Sequence, residues 1–96
     1  MGRFMIEVPH EDSKAACSKA VLIFHQSGSH FLTHAEWGCK DGVHSAWLEV
    51  EVENREQARQ ILPPAYRSKA RIVELNTWSG KELDALAQIH QDSITG

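Results

Sequence analysis

His34 and Glu36 precede Asp41-Gly42, and Trp47 and Glu49 follow it, so an imidazole, two carboxylates and an indole recur at alternate positions around one turn signal. Asp-Gly between alternating runs is the composition of a two-residue type I′ hairpin turn. With the turn at Asp41 and Gly42, Lys40 pairs with Val43, Glu36 falls opposite Trp47, and His34 falls opposite Glu49. Trp37, Ala35 and Thr33 then face Ala46, Leu48 and Val50 on the other, mostly apolar side. A three-residue turn would set His34 against Leu48, so the two-residue register is the consistent one. A histidine among carboxylates has its charged form favoured, while clustered carboxylates push one another toward protonation. Such a group can shuttle a proton near neutral pH, with Trp47 as a flat apolar wall. His34, Glu36 and Glu49 are therefore the candidate catalytic residues. The competing reading is a set of polar cross-strand pairs at an interface or on a wet sheet.

Other combinations carry less. Cys39 lies opposite His44 in this register and looks like a nucleophilic pair, although a thiol packed beside a ring on the helix-facing side is the commoner outcome. Six histidines in 96 residues raise the question of a metal. On a strand, His30 and His34 stand roughly 13 Å apart; a helix would join them, but Gly28 and the β pattern speak against one. His34 with Glu36 and Glu49 could hold a divalent ion, yet no dense ligand motif is present, so neither metal nor cofactor is expected. Tyr66, Arg67, Lys69 and Arg71 form a basic patch that could meet an anionic ligand, although balancing the Glu49, Glu51, Glu53 ladder, within a subunit or across an interface, is the preferred reading.

The elements that must position these residues follow from periodicity. Arg3 to Val8 alternates as a strand that Pro9 ends. Asp12 or Ser13 can cap a helix running to about Gln26, with Ala16, Ala20, Ile23 and Phe24 at helical spacing. Asn54-Arg-Glu-Gln57 is a capping box for a short helix that must stop before Pro63-Pro64. A strand follows over residues 70–78. Ser79-Gly-Lys-Glu82 is a second capping box, opening a helix at about 80–91 with Leu83, Leu86, Ala87 and His90 along one stripe. The order is β-α-β-β-α-β plus an appended helix, an α+β ferredoxin-like arrangement within one domain spanning residues 1–96. Its four-stranded antiparallel sheet has helices on one face only. Parity then sends Phe4, Ile6, Val8, Val73 and Leu75 toward the helices. Met5, Glu7, Trp47, Ile72 and Glu74 line the open face beside the catalytic candidates, and are the expected ligand-binding residues.

Gly42-Val-His-Ser-Ala-Trp-Leu-Glu-Val-Glu, the short helix after it and Ile61-Leu-Pro-Pro-Ala-Tyr resemble the third strand, second helix and proline-bearing approach to the fourth strand of muconolactone isomerase-like proteins and related small domains. These belong to the dimeric α/β-barrel superfamily. The resemblance implies sheets facing each other in a dimer and a small molecule held at the sheet, but it selects no single activity.

Composition bounds the rest. With 42% hydrophobic and 24% charged residues, a net charge of -3 and a pI near 6.0, the chain has no basic footprint for nucleic acid. No apolar run approaches the roughly 18–20 residues of a membrane span. Cys17 and Cys39 read as reduced thiols of a cytoplasmic protein. The expectation is a homo-oligomer, a dimer above all, that binds a small organic molecule on the open sheet face with isomerase-like acid-base chemistry. The alternative is a non-catalytic oligomeric interaction module. An enzymatic role is left undecided at this point.

Overall fold

The computed structural model describes residues 1–95, with side chains through residue 89. Its elements are β1 (Gly2–Pro9), α1 (Lys14–Gln26), a single-turn α2 (His30–Thr33), β2 (Glu36–Trp37), a 3₁₀ turn (Cys39–Asp41) and β3 (Ser45–Val52). Then follow α3 (Arg55–Ile61), α4 (Pro64–Arg67), β4 (Arg71–Leu75) and α5 (Gly80–Thr95). The fold is α+β, with one four-stranded antiparallel sheet in the order β2-β3-β1-β4.

The capping chemistry works locally. The Ser13 hydroxyl accepts the Ala16 N–H at 3.0 Å and starts α1. Asn54 accepts the Gln57 N–H at 2.9 Å, while the Gln57 amide reaches back to the Glu53 N–H rather than to Asn54 itself. Ser79 and Glu82 cap α5 reciprocally, at 3.1 and 3.2 Å. Each cap satisfies a donor that the first helical turn leaves open.

Strand β1 is central, with Ile6 opposite both Leu48 of β3 and Ile72 of β4. Phe4, Ile6, Val8, Ala46, Leu48, Val50 and Ile72 form the buried face of the sheet, covered by Ala20, Phe24, Leu32, Ala58 and Leu62. The opposite face is half-buried or exposed. One row across it reads Glu36, Trp47, Glu7, Arg71, and the next Glu49, Met5, Val73.

Two expectations are corrected, one in the hairpin and one in β4. The hairpin keeps its register, with Glu36 opposite Trp47 and Trp37 opposite Ala46, but only those two residues form β2. Phe31 to Thr33 is helical, because Ser29 caps that turn and Leu32 drops into the core at 3% exposure. The Asp41-Gly42 turn is a longer loop closed by the 3₁₀ turn, with Gly42 in the left-handed region at φ 81°. The parity of β4 is also inverted: Ile72 is buried against Ile6, Glu74 pairs with Phe4, and Val73 is exposed. With three apolar residues among Ile72, Val73 and Leu75, hydrophobicity did not choose the face; register against β1 did. Among the described residues, α5 packs at most slightly on the sheet and the other helices. Leu83, Leu86 and Ile89 are exposed, and the His90 side chain lies outside the described residues.

Candidate functional site

Open-face residues come together only in part. Glu36, Trp47, Glu7, Met5 and Glu49 share a face, and Glu49 pairs with Arg3 at 3.1 Å. Ile72 and Glu74 belong to the other face. His34 is the C-cap of α2, exposed, with its Nδ1 2.7 Å from the His30 carbonyl and its ring 4.5 Å from that of His30. It is not a strand residue and does not pair with Glu49, so the helical spacing set aside on the sequence is the one that forms.

A different group converges at the end of β1. The His10 N–H donates to the His44 carbonyl at 3.0 Å, extending the β1–β3 ladder one step past Pro9–Ser45 and setting the two imidazoles side by side. Their ring centroids are 5.6 Å apart, edge to face. Cys39 arrives from the 3₁₀ turn, which Gly38 makes possible. A Cβ there would lie 2.7 Å from the Val43 carbonyl oxygen and 2.8 Å from the Trp47 ring, so only glycine lets the loop close this tightly. The Gly38 carbonyl then accepts from Asp41 and Val43, both at 3.0 Å. Cys39 Sγ sits 3.2 Å from His10 Nε2, and Trp37 flanks the His10 ring at 5.9 Å.

One ligand atom from each of His10, Cys39 and His44 falls within 4.8 Å of the others. Four-coordinate zinc with sulfur and imidazole ligands needs donor separations of about 3.3–3.6 Å, from bonds of about 2.3 and 2.0–2.1 Å. The Cys39–His10 distance of 3.2 Å is just short of that and the widest separation in the group is within 4.8 Å, so side-chain adjustment would bring the three donors to zinc geometry. The hydrogen bonding points the same way. The His44 Nε2–H donates to Asp12 Oδ1 at 2.9 Å, which leaves Nδ1 as the bare nitrogen, and that atom is buried with no partner. A carboxylate on one ring nitrogen with the other free is how metal-bound histidines are oriented. His10 Nδ1 is also buried and unpartnered, but it is Nε2 of that ring that faces Cys39. Buried orphans of this kind cost about 1–3 kcal/mol each.

Protonation argues against a nucleophile and means that a metal would have to displace the thiol proton. Burial pushes the Cys39 thiol up to about 11, helped by the neighbouring Cys17 thiol. At neutral pH it is S–H, the wrong form for attack. Burial, and secondarily the nearby His44, pushes His10 down, so its imidazole is neutral and available as a donor.

Beside His10 opens a cleft of about 430 Å³ between α1 and the α4–β4 link, reached by Ala16, Lys19, Tyr66 and Lys69. The Cys39–His44 half of the cluster was legible from the hairpin register, whereas His10 was not. Its only signal was position, one residue past the end of a strand whose partner begins one residue after His44.

No family model, curated protein or solved structure matches this chain. Among the described residues, no helix is long and apolar enough to cross a membrane.

Proposed function

We propose that this chain is a metal-binding domain that holds one divalent d-block cation, zinc in the first instance, through His10, Cys39 and His44. The observation that carries the reading is the convergence of three soft or borderline donors, one of them the buried and unpartnered Nδ1 of His44. Sulfur and nitrogen donors select zinc and its neighbours over magnesium or calcium. Three protein ligands leave a fourth position for an exogenous group, the plan of sites that do chemistry rather than merely staple a fold. The cation would be bound by a neutral His10, by Nδ1 of a His44 held by Asp12, and by a Cys39 that gives up its proton on binding. Isothermal titration with zinc checks this. The parent chain takes up one equivalent, Cys39→Ser and His44→Ala lose at least tenfold in affinity, and His34→Ala binds like the parent. Equal binding by all four would refute it.

The strand order and the single helical layer support a ferredoxin-like reading of the topology. A second reading keeps the open sheet face as the place where two copies meet or a small organic molecule lies. It is favoured by the half-buried Trp47 and Met5 and by the exposed Val73 beside Met5, all on that face. Under it, Trp47→Ala lowers the mass seen by light scattering; an unchanged mass tells against it.

A further inference from the structure

We infer that the cleft beside His10 is a binding site for a small organic anion carrying a single carboxylate on an apolar body. The inference goes beyond the metal reading and does not depend on it: of the three proposed ligands only His10 lines the cleft, and the recognition rests on Lys19, Lys69 and Tyr66. At about 430 Å³ the space is of the size that small ligands occupy, about 300–1,000 Å³. Its charge is lopsided. Lys19 comes from α1 and Lys69 from the link before β4, with Glu11 as the one acid on the lining. Two ammonium groups against one carboxylate leave a net single positive charge, which suits a monoanion better than a polyphosphate. Neither lysine forms an ion pair among the described residues, where the pairs are Arg3–Glu49 and His44–Asp12. Both charges are therefore still available to a ligand.

The walls favour a flat or aliphatic body. Ala16 and Ile23 present apolar surface from α1, and Tyr66 stands across from them, its ring edge-on to the buried Phe24 at 5.6 Å. Burial pushes the Tyr66 phenol up, so it remains O–H and can donate to a carboxylate oxygen. The lysines supply charge-assisted donors and the phenol a neutral one, with Ala16 and Ile23 as the apolar wall.

Nuclear magnetic resonance titration with sodium benzoate, in metal-free protein, tests this directly. Saturable shifts are expected at the amides of Ala16, Lys19, Ala65 and Lys69. Benzyl alcohol, the neutral analogue, gives no saturation over the same range. Lys19→Gln and Lys69→Gln, both at exposed positions that leave the fold intact, each weaken benzoate about tenfold. Cys39→Ser, which removes the proposed metal ligand, binds benzoate as the parent does, so failure of either idea is separable from failure of the other. Non-saturating shifts, equal binding of benzyl alcohol, or lysine variants indistinguishable from the parent would overturn the proposal.

Discussion

The thiol proton gives the metal reading its sharpest quantitative consequence. Cys39 stands at about 11 against an ordinary 9.0, so the folded chain holds that proton across the neutral and mildly alkaline range. A cation must displace it, because the thiolate and not the thiol is the ligand. Between pH 7.5 and 9.5 the apparent affinity should therefore rise about tenfold per pH unit, or about 2.7 kcal/mol over the window, at 1.36 kcal/mol per unit. The sign is fixed by proton release: raising the pH favours the bound state until the pH passes the thiol's own value. Histidine contributes little there, since the window lies above its ordinary range and His10 is shifted further down. The raised value also costs the site about two pH units of affinity, roughly a hundredfold, relative to an unshifted thiol. Competition against a chromophoric zinc chelator across the window measures the slope. Titration calorimetry in two buffers of different ionisation enthalpy counts the protons, with one expected per zinc. In Cys39→Ser the slope disappears along with most of the affinity. A flat profile in the parent chain, or a slope unchanged in the serine variant, would refute the reasoning.

Two further outcomes follow from the same geometry. Asp12→Asn leaves the three donors in place but loosens the orientation of His44, so zinc binding should weaken by about tenfold, the low end for such partners because Asp12 is largely exposed. Ile6→Ala empties the centre of a core in which Ile6 is fully buried between Leu48 and Ile72. It should lower unfolding stability by about 2–5 kcal/mol in a denaturant melt with an unchanged slope, and a loss below about 1 kcal/mol would contradict the packing described.

What could be read from the residues alone divides along local and non-local physics. Helix starts were legible because Ser13, Asn54 and Ser79 act on donors within three residues of themselves. The pairing of Glu36 with Trp47 was legible because a hairpin joins strands close in sequence. The segment before it was not. Phe31, Leu32 and Thr33 alternate plausibly as a strand, but burying Leu32 under a capped turn overrides that pattern. Strand β4 reaches β1 from more than sixty residues away after two prolines, so no local signal sets its parity, and Ile72 and Val73 exchange roles. The candidate site fell on the same divide. Cys39 and His44 belong to one loop, whereas His10 joins them through a ladder between distant strands.

The most direct test of the central claim is the X-ray absorption spectrum of the zinc-loaded chain. Zinc held by His10, Cys39 and His44 gives a mixed shell of one sulfur at about 2.3 Å with imidazole nitrogens at about 2.0–2.1 Å, and the sulfur is lost in Cys39→Ser. A shell of oxygens and nitrogens alone in the parent chain, or a sulfur contribution that survives the substitution, would contradict it.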